Sequence, residues 1–211
     1  MKLINTIEVA PYDYAKNEYE SPNTTLASAP SEWNNYWIKC LTDSNLGRLK
    51  PIQEGSFFVD IATLQSEEIL EILKKELENI DFEEFAEQVE HLCGGIAIEL
   101  NGEIVIEPSC CGDLENLSGW ESIFHSEIGV WQQLWIGHPW IFYRRINAQV
   151  ELSEYTDLNL EDFKDIKAVY TIPEVELAEE VVKARKVQHD FADKAFVILA
   201  AIKSEAAKDI S

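Results

Sequence analysis

The residues best equipped for chemistry lie in two short segments, His91-Leu-Cys93 and Ser109-Cys110-Cys111-Gly112-Asp113. Together they hold one imidazole, three thiols and a carboxylate, all of which can ligate zinc. The segments sit just beyond opposite ends of a marked β-hairpin. Pairing of its strands brings them together at the open mouth, unless Gly94, Gly95 and Pro108 end the ladder sooner. The spacing argues against a structural zinc site. There is no C-x-x-C, and adjacent cysteines on an extended chain point in different directions. The plainer reading is that these cysteines fill the core as small, easily buried residues. No metal and no cofactor are expected.

A thiol nucleophile is the second chemistry. If Asp113 caps a helix, Cys110 or Cys111 lies near that helix's positive end, which favours a thiolate. Glu107, Asp113 and Glu115 oppose it, with no Lys or Arg nearby. A general base would have to be His91, His125 or His138, and spacing fixes the geometry of none. A third candidate is the aromatic set Trp120, Trp131, Trp135, Trp140, Phe142 and Tyr143. Aromatics beside carboxylates can build a sugar site, but large aromatics along strands mostly fill a core. Weighed together, these features lean away from an enzyme. The candidate binding residues are His91, Cys93, Cys110, Cys111, Asp113, Trp120 and His138.

Several elements must position them. KLINTIEVA reads as a strand with Leu3, Ile7 and Val9 on one face. Residues 11–30 read as a loop, and Ser31 caps a helix carrying Trp33, Trp37 and Leu41. SFFVDIA reads as a strand. Ser66 caps a helix with Ile69, Leu70, Leu73 and Leu77 on its apolar face, and DFEEFAEQVEHL continues in helical rhythm. In GGIAIELNGEIVIEP, Asn101-Gly102 marks a hairpin. A two-residue turn would pair Leu100 with Glu103. A three-residue loop would pair Ile98 with Ile104 and Ile96 with Ile106, and is favoured because it gives one wholly apolar face. Ser118-Gly-Trp-Glu121 has capping-box spacing and starts a short helix. WQQLWIG, WIFYRRI and AQVELSEY read as two or three strands. Thr171-Ile-Pro-Glu174 opens a long helix over about residues 173–205, with a heptad-like seam from Leu177 to Ile202. Its end, FADKAFVILAAI, is apolar nearly all round and demands burial, on the sheet or against a second copy of the chain. The expected fold is a single α+β domain over residues 1–211. An antiparallel sheet of about five or six strands would be covered by helices, since strands and helices do not alternate regularly.

Charge narrows the function classes. The 211 residues carry 39 Asp or Glu against 17 Lys or Arg, a formal net charge of −22. No Lys or Arg falls between Lys75 and Arg144, and the 68 residues from Glu76 to Tyr143 hold 14 acids. Such a surface repels nucleic acid and anionic membranes. It suits either a basic protein partner or plain solubility. No phosphate-loop, dinucleotide, zincin or serine-hydrolase signature is present. Four cysteines are few for a secreted disulfide scaffold, no apolar run approaches membrane-spanning length, and the start lacks a signal-peptide core. A cytoplasmic protein with reduced thiols is expected.

The block EPSCCGDLENLSGW followed by LWIGHPW resembles segments of uncharacterised bacterial proteins. In general type the chain is similar to small immunity and adaptor proteins of the Smi1/Knr4-like class. That resemblance implies a non-catalytic protein that covers a cationic partner with an acidic surface.

Overall fold

Two compact units make up the chain: Met1–Thr6 with Cys93–Gln188 (unit 1), and Ile7–Leu92 with His189–Ser211 (unit 2). The structure is a computed structural model that describes residues 1–78 and 92–209. The segment DFEEFAEQVEHL lies almost wholly outside the described residues, as does His91. The fold class is α+β, with a long C-terminal helix. The strands form two four-stranded sheets, ordered β2-β1-β3-β4 and β5-β6-β7-β8, in place of one sheet of five or six. Hydrophobic patterns mark strands but do not say which of them pair, so the division was not readable from periodicity.

In unit 1, strand β1 (Lys2–Glu8, which runs on into unit 2) is buried from Leu3 through Ile7, with no solvent face. Its buried polar members donate internally, although Asn5 Oδ1 meets no donor among the described residues. Asn5 Nδ2 donates to the Ala184 carbonyl at 2.8 Å, and Thr6 Oγ1 to that of Gly95 at 3.1 Å. Strands β3 (Gly94–Leu100) and β4 (Glu103–Ile106) form the hairpin. Its turn is the two-residue form, with Leu100 opposite Glu103 and both Asn101 and Gly102 at positive φ. This corrects the favoured three-residue register. Left-handed Asn-Gly matches the strand twist. A bulge between Ile98 and Glu99 then sets Ile98 opposite Ile106. The core thus obtains its apolar pair by a bulge rather than by a longer loop.

The second sheet is an antiparallel meander of β5 (Gln132–Leu134), β6 (Ile141–Ile146), β7 (Gln149–Leu152) and β8 (Tyr170–Pro173). Asn147 and Ala148, both at positive φ, turn β6 into β7. β8 was not expected. Thr171, read above as part of the helix start, instead pairs with Glu151. An edge strand tolerates the missing N–H of Pro173. The long helix then runs over Glu174–Asp209. Leu177, Val181 and Ala184 of its seam enter the core of unit 1 beside Ile98, Ile106, Trp120 and Ile141. The short helix Leu117–Ser122 carries Trp120 into the same core. Its expected capping box does not form, because Ser118 Oγ donates back to the Glu115 carbonyl at 2.8 Å. The cap lies earlier, where the Asp113 carboxylate accepts from Asn116 N at 3.1 Å and starts a 3-10 turn.

Among its described residues unit 2 holds the helices α1 (Pro11–Tyr14), α2 (Pro30–Thr42) and α3 (Ser66–Glu76), the end of the C-terminal helix, and the short strand β2 (Phe58–Asp60). The helix Leu117–Ser122 is α4 and the C-terminal helix is α5. Both expected caps shift. Ala29, not Ser31, precedes α2, and Ser31 Oγ donates to Glu54 at 2.7 Å. Gln65, not Ser66, caps α3 in a reciprocal box with Glu68. A serine followed by acids fits either register, and the burial of Glu68, Ile69 and Ile72 selects this one. Further along α5, Phe191 is buried, but Phe196 and Val197 are 74% and 68% exposed. The demand that this apolar segment be buried is therefore not met for Phe196 and Val197 among the described residues.

Candidate functional site

At the hairpin's open mouth the backbones of several sequence candidates of unit 1 meet. Cys93 and Asp113 pair across an antiparallel bridge, and Gly94 N donates to the Gly112 carbonyl at 2.9 Å. On the other side, Cys110 pairs with His138. Ser109 N donates to the Ile136 carbonyl at 2.8 Å, and His138 N to that of Cys110 at 2.7 Å. Residues 109–113 are thus held between two backbones. The approach is close enough to require glycine. A Cβ on Gly112 would stand 2.6 Å from the Gly94 oxygen and 2.8 Å from that of Ile136. Gly112 N closes a turn on the Ser109 carbonyl at 3.0 Å, and Cys111 within that turn has φ +64. The Cys110 and Cys111 sulfurs are 3.3 Å apart and both residues are exposed.

His138 is the hub of the face beside them. Its Nδ1 lies 3.2 Å from the Asp157 carboxylate, and its ring meets Trp140 edge-on at 5.1 Å. Trp140 in turn stacks on Trp135 at 5.8 Å and pairs with Thr156 through the backbone. Trp140 is almost buried, whereas Trp135 is 42% exposed. Next along the chain, the Tyr155 hydroxyl accepts from Glu107 N at 2.7 Å and donates to the Glu107 carbonyl at 3.0 Å. Burial, reinforced by the charge of Glu107, pushes that phenol up to about 12, so it stays a donor at neutral pH.

Other candidates separate from this face. Trp120 is fully buried in the core, and its indole N–H meets no acceptor among the described residues. Trp131 lies under the Arg144 guanidinium at 4.7 Å, and Arg144 pairs with Glu151 at 2.5 Å. Among the described residues no three His, Cys, Asp or Glu side chains are grouped to hold a metal ion. Asp157 and Tyr155 were missed. Nothing in the spacing of Asp157 from His138 announces their contact, which depends on Trp140 and Thr156 pairing first.

Unit 2 has a surface pocket of about 360 Å³, lined by Asp13, Tyr14, Lys16, Ser44, Lys74 and Lys75 among others. Its floor is tied down locally. Ser44 Oγ donates to the Tyr14 carbonyl at 2.8 Å. Asp43 accepts from Lys16 N at 2.9 Å and from the Tyr19 hydroxyl at 2.8 Å. Burial works to raise the Asp43 carboxyl, but these donors outweigh it and hold it below the usual range. Burial pushes the Tyr14 phenol far up. The pocket's acids and lysines are of mixed sign, which selects no ligand charge.

No family model, curated protein or solved structure matches the chain. The functional reading therefore rests on this geometry. No helix among the described residues is long and apolar enough to cross a membrane.

Proposed function

We propose that the chain is a non-catalytic docking protein that binds a basic partner protein through the Trp135–Trp140 face of unit 1. One observation carries the reading: an exposed tryptophan is backed by a second one, and the carboxylate of Asp157 lies beside them on His138. Trp and Tyr are the side chains on which interfaces concentrate binding energy. Surrounding acids steer and orient a cationic partner more than they add affinity. The acids of the basic-free stretch support it. Glu99, Glu103, Glu107, Asp113, Glu115, Glu121 and Glu127 are all at least partly exposed. A reducing cytoplasm suits the reading, since Cys93, Cys110 and Cys111 are exposed and stand outside any disulfide.

The test is affinity capture with the wild-type chain and Trp135→Ala at low and at high salt. The expected result is a basic partner retained at low salt, released as the Debye length shrinks, and lost with Trp135→Ala. Retention indifferent to both salt and Trp135 would overturn the proposal.

A second reading has one observation in its favour. Cys110 and His138 are paired through the backbone and His138 Nδ1 faces the Asp157 carboxylate at 3.2 Å, residue types that serve as nucleophile, base and orienting acid in thiol catalysis. Its test is alkylation by iodoacetamide. Selective labelling of Cys110 that slows at least about tenfold in both His138→Gln and Asp157→Asn would support it. Equal labelling in all three proteins would remove it. Self-association is a further part of the proposal, through the exposed Phe196 and Val197 of α5.

A further inference from the structure

We infer that Cys110 and Cys111 form a bidentate dithiolate site for a soft, pyramidal trivalent ion, the class of trivalent arsenic and antimony. This does not rest on partner docking. Three observations carry it.

The first is the sulfur separation. At 3.3 Å the two Sγ atoms are in contact but unbonded. Neighbouring Cα atoms across a trans peptide are about 3.8 Å apart, short of the roughly 4.4 Å at which ordinary disulfides begin. Closing a bond of about 2.05 Å would therefore strain the turn. Bridging the same sulfurs through an ion needs no approach at all.

The second is the bite. With metal–sulfur bonds of about 2.3 Å, a separation of 3.3 Å gives a sulfur–ion–sulfur angle of about 92°. Tetrahedral zinc would need the sulfurs roughly 3.8 Å apart, and it would need further donors. No group of three suitable side chains exists among the described residues. An ion with a stereochemically active lone pair takes angles near a right angle and is satisfied by two thiolates and one further group.

The third is the backbone. Cys111 holds φ +64, a conformation that disfavours side chains other than those of Asn and Asp. Of the other non-glycine residues described at such positions, three are Asn (Asn45, Asn101 and Asn147) and one is Ala148, which lies within a hairpin turn. At Cys111 a thiol is kept in the unfavourable conformation instead. The turn is held by Gly112 N on the Ser109 carbonyl and by the close approach of Gly112 to Gly94 and Ile136. Strain of this kind, maintained by surrounding structure, is a mark of a functional position. Here it presents both sulfurs on the same exposed side.

The reaction balances without an oxidant. A monoaryl arsenic(III) dihydroxide forms two As–S bonds as two As–OH and two S–H bonds break. Each sulfur proton leaves with one hydroxide as water, and arsenic stays trivalent.

The experiment uses phenylarsine oxide as the probe on the full chain, read by intact mass and by titration of remaining thiols. The wild type is expected to bind one arsenical at the cost of two thiols. The adduct should survive excess 2-mercaptoethanol and be released by 2,3-dimercaptopropanol. Cys110→Ser and Cys111→Gly should each weaken binding at least about a hundredfold, the loss expected when a chelate becomes a single bond. Glycine accepts the left-handed backbone, so Cys111→Gly keeps the turn. Cys93→Ser should bind as the wild type does. The inference is overturned by a wild type that forms no adduct or loses only one thiol. It is equally overturned by a monothiol-resistant adduct that persists in Cys110→Ser or Cys111→Gly, or that disappears in Cys93→Ser.

Discussion

In unit 2, Glu68 and Glu71 of α3 and Glu78 just after it are answered by nearby cations, whereas Glu103 and Glu127 of unit 1 meet none among the described residues. Glu71 meets Lys74 at 3.3 Å, Glu78 meets Lys75 at 2.7 Å, and Glu68 meets Arg48 at 3.4 Å. The two lysine pairs, being exposed, add little stability, but they cancel charge within a turn. In unit 1, Glu121 finds Arg185 at 2.6 Å, a cation borrowed from α5. Among the described residues Glu103 and Glu127 stand in no ion pair. Net charge is therefore a poor guide to where a basic partner would settle. Local cancellation is the better one, and it points to unit 1, where the exposed tryptophan also lies.

The largest effect separates the two tryptophan roles within that unit. Trp120→Ala empties a fully buried site and should cost about 3–5 kcal/mol in denaturant unfolding. Trp135→Ala should cost far less, since its ring is already part-exposed, while abolishing capture. A loss of under about 1 kcal/mol for Trp120→Ala would contradict its place in the core.

The next effect contrasts a carboxylate from each unit. Glu180 accepts from Leu3 N at 3.2 Å and from Lys183 at 2.6 Å. Burial opposes its ionisation, but these bonds prevail and hold its carboxyl below the usual value. A lowered folded value contributes stability above the unfolded value, lost as pH falls through the folded one. Glu180→Gln should therefore cost about 1.5 kcal/mol at neutral pH and nothing in strong acid. Glu8 has the opposite sign. Burial, and then the charge of Asp13, raise its carboxyl. Ionising it in the folded state is unfavourable, so its contribution is best at low pH and declines as pH rises through the folded value. Glu8→Gln should stabilise the protein at neutral pH and lose that advantage below about pH 4. Unfolding curves between about pH 3 and 8 decide both signs.

Legibility followed how local the determining physics was. Asn101-Gly102 marked its turn because left-handed backbone is a property of those two residues. The bulge at Ile98/Glu99 was not visible, because it answers to a core built from distant strands. The convergence of Cys93, Cys110, Cys111 and Asp113 was legible, since a hairpin must bring its flanks together. His138 was recognised as a residue, but its partner Asp157 was not, because a meander of four strands sets that contact. β8 was hidden by its own sequence: Thr171-Ile-Pro-Glu174 satisfies a helix-start pattern, and only pairing with β7 makes it a strand. Ser31, Ser66 and Ser118 matched helix-start patterns equally well, and packing moved each start elsewhere.

The smallest expected effect on stability is the sharpest test of the comparison. Glu103→Gln with Glu127→Gln removes two charges from unit 1, and Glu71→Gln with Glu78→Gln removes two from unit 2. Surface changes of this kind shift stability by no more than about 0.5 kcal/mol each, so both proteins should unfold much as the wild type does. Their partner binding should differ. Glutamines at 103 and 127 take away charge that nothing nearby cancels, so capture should weaken and its salt dependence flatten. Glutamines at 71 and 78 remove the ion-pair partners of Lys74 and Lys75 in unit 2, a change remote from Trp135 along the chain and outside its unit. Capture by that protein should keep the wild-type salt dependence. Equal weakening by the two pairs would mean that a basic partner reads total charge, and the distinction between the units' acids would then carry no functional meaning.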